Sequence, residues 1–168
     1  MRLAEVLRDA GRGAVADVTG TLDESVGNLN IVGIALSSDG VKPGFAFAAL
    51  AGRHRHGAEF IDEACRRGAV AVITDAEGQL IIARSAQSDI PIVVHDQPRP
   101  LVAHIAAILA GFPTRSLTMV GVTGTNGKTS VCALLAAALG AGGSSCGVIG
   151  TLGSTLNGDQ LASGPRTT

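Results

Sequence analysis

Gly121-Val122-Thr123-Gly124-Thr125-Asn126-Gly127-Lys128-Thr129-Ser130 is the stretch whose reading decides the fold. An apolar run, 117–120, leads into it, and a longer one, 131–139, leads out. This pattern predicts a buried strand before the glycines and a helix after them. Glycines in such a turn let backbone N–H groups converge on an anion, and the helix adds the positive end of its dipole. Lys128 supplies a full positive charge at the mouth of the turn, and Thr129 supplies a hydroxyl suited to Mg²⁺. That is the chemistry of a triphosphate cradle. The general phosphate-loop pattern asks for glycine where Val122 stands, and a tighter Gly124-Thr125-Asn126-Gly127-Lys128-Thr129 is present instead. The competing reading is a tight strand-to-helix turn with a solvated lysine.

Composition frames what surrounds this loop. The chain has 168 residues, long enough for one ordinary domain or two small ones. An apolar fraction of 46% against 16% charged supplies a core and argues against disorder. The bulk is aliphatic, with four Phe and no Trp or Tyr, which suits α/β layers and removes the stacking platforms of single-strand nucleic-acid binders. A net charge of −1 gives no electrostatic case for nucleic acid or an acidic membrane. No stretch reads as a membrane span or secretory signal, so a cytoplasmic location is expected. Cys65, Cys132 and Cys146 stand singly among apolar neighbours without metal-ligand spacing, and read as reduced, buried thiols.

Upstream, residues 1–15 read as a short amphipathic helix with Leu3, Val6 and Leu7 on one face. Residues 28–37 read as a strand, 38–44 as a turn and 45–50 as a second strand. A polar loop, Arg53-His54-Arg55-His56-Gly57, precedes a helix over 58–67 that stops at Gly68. Strands are expected at 69–74 and 90–95, and a helix from Pro98 through Leu109. Leu80-Ile81-Ile82-Ala83 reads as a short edge strand or a hairpin insertion. Strands alternating with helices at this interval imply βαβ units and a mainly parallel sheet. Gly111-Phe112-Pro113-Thr114-Arg115-Ser116 is the expected boundary, giving domains 1–113 and 114–168. Beyond the glycine loop, 140–145 reads as a flexible turn, 146–150 as a strand and 151–168 as a polar tail.

The second unit is short for the chemistry it announces. A phosphate-loop domain needs several strands, an acid to hold Mg²⁺ and further groups around the transferred phosphoryl. No acid follows a plausible core strand after residue 130, since Asp159 falls in the tail.

Taken together, these motifs are similar to those of the Mur ligases, ATP-dependent amide-forming enzymes of peptidoglycan precursor synthesis. The glycine loop resembles their ATP loop. Val41-Lys42-Pro43-Gly44, Phe47-Ala48-Ala49-Leu50, His56-Gly57-Ala58-Glu59-Phe60-Ile61 and Gly68-Ala69-Val70-Ala71-Val72 resemble the UDP-binding domain of the MurE type. Gly147-Val148-Ile149-Gly150-Thr151-Leu152-Gly153 and the closing Thr167-Thr168 fit the same pattern, so the resemblance covers nearly the whole chain. It implies a UDP-sugar domain with a mainly parallel sheet, followed by the start of a truncated ATPase domain. It also implies the addition of the third stem-peptide residue, meso-diaminopimelate in the favoured reading, to UDP-N-acetylmuramoyl-L-alanyl-D-glutamate through an acyl phosphate.

By the same resemblance, Gly124, Thr125, Asn126, Gly127, Lys128, Thr129 and Ser130 bind ATP, with Lys128 acting on the phosphates and Thr129 on Mg²⁺. Leu36, Ser38, Arg53, His54, Arg55, Thr167 and Thr168 bind the UDP substrate. Two arginines can pair with a diphosphate, although a solvated surface turn explains the same residues. His54 and His56 lack a third metal ligand. Two departures stand out: the family's usual Asp-Ser-Arg is Ser37-Ser38-Asp39 here, and Phe45 replaces an acid after Pro-Gly. The family's magnesium glutamate, modified lysine and amino-acid-binding domain would lie beyond Thr168, so a chain of this length is not expected to complete the ligation alone. The alternatives are a non-catalytic UDP-sugar or ATP-binding module and an unrelated phosphate-loop kinase or GTPase. The last leaves the first hundred residues unexplained.

Overall fold

The computed structural model describes residues 1–5, 7, 29–85 and 89–161. It contains two compact units, Met1–Arg115 and Ser116–Thr168.

The first unit is a four-stranded parallel sheet in sequential order, β1 (Gly33–Ala35), β2 (Phe45–Ala48), β3 (Ala69–Thr74) and β4 (Ile92–Val94). Side chains alternate across a pleated strand, so a parallel sheet with apolar residues on both faces needs cover on both. One face carries Ala46, Ala48, Ala71, Ile73 and Val93 against Leu101, Val102 and Ile105 of a later helix, with Leu3, Leu7 and Ile31 in the same cluster. The other face carries Ala35, Phe47 and Val72 against Ile61, Ala64 and Ile82. The covering helices are α1 (Ile61–Arg66), entered through a 3₁₀ turn at Gly57–Phe60, α2 (Ala76–Ile82) and α3 (Pro98–Leu109). The first strand is shorter than the sequence suggests: pairing to β2 begins at Gly33, while Asn30 and Ile31 bond back to Arg2 and Met1. Of the predicted N-terminal helix, residues 3–5 and 7 are helical, and the rest lies outside the described residues.

The stretch 80–83 is helical through Ile82, not an edge strand or hairpin. Asp75 caps α2 by accepting from the Gly78 N–H at 2.9 Å. Ile82 is fully buried while Leu80 is 64% exposed, the one-sided burial a helix gives. A crossover between the parallel neighbours β3 and β4 needs such a connecting segment. Three consecutive apolar residues read alike in either state, and topology decides.

In the second unit, helix α4 (Lys128–Ala141) begins three residues earlier than its apolar run. Strands β5 (Gly147–Gly150), β6 (Gly153–Leu156) and β7 (Asp159–Gln160) form an antiparallel meander. The predicted polar tail is therefore partly a sheet, turning at Asn157 and Gly158, both in left-handed conformation. The predicted strand at 117–120 is absent: among the described residues nothing pairs with it, and Leu117, Met119 and Val120 are each at least 60% exposed. Apolar character marks a segment for burial, but only a neighbouring strand makes it a strand. No helix among the described residues is long and apolar enough to cross a membrane.

Candidate functional site

The glycine loop of the second unit opens directly onto α4. Gly127, the residue before the helix, has φ +77°, and Gly124 has φ +147°. A residue with a β-carbon is strained in the left-handed region, so the turn is available to glycine at low cost. No side chain caps α4, and the first bond of the helical ladder shown at this end is Val131 N–H to the Gly127 carbonyl at 2.9 Å. The N–H groups of Lys128, Thr129 and Ser130 are thus available to an anion at the positive end of a 14-residue helix. No acid occupies the first turn.

Lys128 arches back over the loop. Its ammonium donates to the Gly124 carbonyl and, at 3.3 Å, to the Thr125 carbonyl. The charge is thereby held against the glycine turn, and it is exposed. The loop's Thr125, Asn126 and Ser130 are exposed too. A cleft of about 1020 Å³ borders Val122, Lys128 and Thr129 and continues between α4 and strands β5–β6.

For magnesium, Thr129 offers one oxygen at this helix start, and no group of three or more His, Cys, Asp or Glu among the described residues could hold a metal. Mg²⁺ takes few protein ligands when substrate phosphates supply the others, so a single hydroxyl beside an anion cradle fits it. Asp159, the acid of this unit, stands on β7.

In the first unit, the residues expected to meet the UDP substrate lie after the carboxyl ends of the adjacent strands β1 and β2. That edge is where open parallel sheets bind ligands. Leu36 is 47% exposed directly after β1. Ser38 is buried, and its hydroxyl donates to Glu63 Oε2 at 2.9 Å. Glu63 is held in turn by Arg67, which also donates to the Asp39 carbonyl. Arg53 and His54 are exposed, and their side chains make no hydrogen bond or ion pair among the described residues. Arg55 is committed elsewhere: it pairs with Glu59 at 2.8 Å and its guanidinium lies 4.5 Å from the centre of the Phe60 ring. That bond from Arg55, then the one from the His56 N–H, holds the Glu59 carboxyl below its ordinary value. Thr167 and Thr168 lie outside the described residues.

His54 and His56 differ in their surroundings. His56 is buried, its Nδ1 accepts from the Ala58 N–H at 3.0 Å, and its Nε2 faces Asp75 Oδ1 at 3.1 Å. Glu63, Arg67, Asp75 and Arg99 were not singled out in the sequence. Asp75 alone carried a usable signal, an acid directly before a helix.

The comparisons with known proteins follow this order of parts. "Mur ligase family, catalytic domain" matches residues 30–112, and "Mur ligase middle domain" matches residues 122–168. The chain belongs to the Mur ligase family. It is 39% identical over 142 residues to the UDP-N-acetylmuramoyl-L-alanyl-D-glutamate–2,6-diaminopimelate ligase of Streptomyces coelicolor, covering 84% of this chain and 27% of that one. It is 41% identical over 135 residues to the ligase of the same name from Pseudomonas aeruginosa, covering 80% and 27%. A solved structure of a ligase with this name superposes with a TM-score of 0.54 at 22% identity, covering 77% of this chain and 26% of that chain, a likeness of fold. The chain spans 26–30% of the length of the curated relatives it matches.

Proposed function

We propose that this Mur ligase chain carries the ATP-phosphate site and the UDP-sugar site of an ATP-dependent amide ligase of peptidoglycan precursor synthesis. The acceptor is UDP-N-acetylmuramoyl-L-alanyl-D-glutamate, and the amino acid added is diaminopimelate, the one in the relatives' names. Residues 1–113 form the UDP-sugar domain, and 114–168 open the ATP domain. The reaction takes place in the cytoplasm.

In this reading the substrate carboxylate attacks the γ-phosphoryl group of ATP, ADP leaves, and the incoming amine displaces phosphate from the acyl phosphate. The N–H groups at the head of α4 hold phosphate oxygens, and Lys128 exchanges its carbonyl partners for the charge that develops during transfer. Thr129 would hold Mg²⁺ through its hydroxyl, and the ion would supply positive charge against the phosphates. Leu36, Ser38, Arg53 and His54 border the UDP-sugar, with Thr167 and Thr168 on its peptide. Arg55 joins them only by leaving Glu59. No residue of this chain is assigned to the amine.

One observation carries the proposal: an uncapped helix start, two positive-φ glycines and Lys128 coincide in a chain about 40% identical to ligases of this name. Calorimetric titration of MgATP into the chain is the test. Wild type is expected to bind and Lys128→Ala to lose at least tenfold in affinity; equal affinity in the two overturns the phosphate-loop assignment.

A further inference from the structure

We propose that His56 and Asp75 are a positioning pair that fixes the 52–55 loop, and with it Arg53 and His54, for a nucleoside-diphosphate ligand. The proposal rests on the reading of that loop given above.

The loop is a narrow excursion from the carboxyl end of β2. Gly52 N–H bonds to the Arg55 carbonyl at 3.1 Å, Ala51 and His56 form an antiparallel bridge, and Gly57 N–H bonds to the Leu50 carbonyl at 2.8 Å. A hairpin this short has no core of its own. Its orientation is set by side chains at its base, and three ties are present. Thr74 Oγ1 donates to the Ala49 carbonyl at 2.7 Å, Arg99 donates to the Ala51 carbonyl, and His56 reaches Asp75.

The His56 tie joins the loop's outgoing arm to the start of α2, whereas Arg55 reaches only the adjacent 3₁₀ turn through Glu59 and Phe60. Nδ1 accepts the Ala58 N–H, so the remaining proton sits on Nε2 and points at Asp75 Oδ1. That same oxygen accepts the Gly78 N–H that starts α2. The imidazole side chain is 5% exposed, and both nitrogens are engaged within the protein. The tip is the opposite: Arg53 and His54 are exposed, and their side chains have no hydrogen bond or ion pair among the described residues. A rigid base carrying an exposed arginine and an exposed imidazole N–H donor cuts the ordering cost of gripping an anion.

Titration of UDP-N-acetylmuramoyl-L-alanyl-D-glutamate into the full chain tests this. His56→Asn keeps an acceptor for the Ala58 N–H but does not reach Asp75. Asp75→Ser keeps a cap for α2 but is too short to reach His56. Each is expected to bind about tenfold more weakly with the thermal midpoint little changed, while Asp75→Asn, whose carbonyl oxygen accepts both bonds, binds like wild type. A capping role alone would be rescued by serine as well as asparagine. If His56→Asn fails to fold, Asp75→Ser decides. Wild-type affinity in His56→Asn and Asp75→Ser, with Arg53→Ala weakened, overturns the positioning role and leaves the loop reading intact. Absence of binding by wild type, or no loss in Arg53→Ala, overturns the loop reading and the proposal with it.

Discussion

Gly78 sits so close to Thr74 that a β-carbon on the glycine would lie 1.9 Å from the threonine hydroxyl. That hydroxyl is held by the Ala49 carbonyl, and His56 Cε1 would lie 2.6 Å away on another side. Helix α2 can therefore approach the end of β3 only because position 78 has no side chain.

Gly78→Ala would gain about 1 kcal/mol in helix propensity if packing were indifferent. Overpacking against Thr74 and His56 costs about 1–3 kcal/mol, so a net loss of stability is expected. Urea denaturation of the two proteins reads it; a Gly78→Ala variant as stable as wild type would contradict the close approach.

Ser38 is the second buried polar anchor of the carboxyl edge. Ser38→Ala leaves Glu63 bonded to Arg67 but removes its buried partner, a loss of about 1.5–3 kcal/mol for a hydrogen bond to a charged group, toward the lower end because Glu63 is partly exposed. A denaturant midpoint unmoved in Ser38→Ala would show that bond to be inconsequential.

Glu59 gives the first unit a pH dependence of defined sign. Its folded pKa lies below the ordinary 4.5, through Arg55 first and the His56 N–H next. A depressed carboxyl contributes stability above its unfolded pKa and loses it as pH falls through the folded value. Glu59→Gln is therefore expected to be less stable than wild type at neutral pH, with the gap closing as pH drops below 4.5. Paired melting curves across that range check it; a gap that widened in acid would reverse the assignment.

Gly127→Val places a β-branched residue at φ +77°. The space around position 127 is open, so the cost is conformational, about 1–2 kcal/mol. MgATP affinity is expected to fall by about tenfold, because relaxing φ turns the Lys128 and Thr129 N–H groups out of register. Undiminished binding would show that the cradle does not depend on this turn.

The parallel sheet of the first unit was legible because strands fully buried on both faces are near-continuous apolar runs, and 69–74 and 90–95 are such runs bounded by turn residues. The glycine turn ahead of α4 was legible because its conformation is set by adjacent residues, Gly124 and Gly127 at positive φ directly before the helix. Leu80-Ile81-Ile82 was not, since a short apolar run carries no period, and its helix follows from the crossover it must make. Residues 117–120 failed the other way: their composition is that of a strand, but a ladder needs a partner from elsewhere in the chain.

Sequence by itself determined the elements whose geometry is local: the glycine turn with φ +77° at Gly127, the helix it starts, and the polar loop that carries Arg53 and His54. Tertiary structure decided which polar side chains are spoken for. Arg55 belongs to Glu59, Ser38 to Glu63 and His56 to Asp75. Two of those partnerships span 25 and 19 residues, and no local period encodes them. They exist because parallel strands deliver their carboxyl ends to one edge, where buried polar groups must find partners or bear the cost of desolvation.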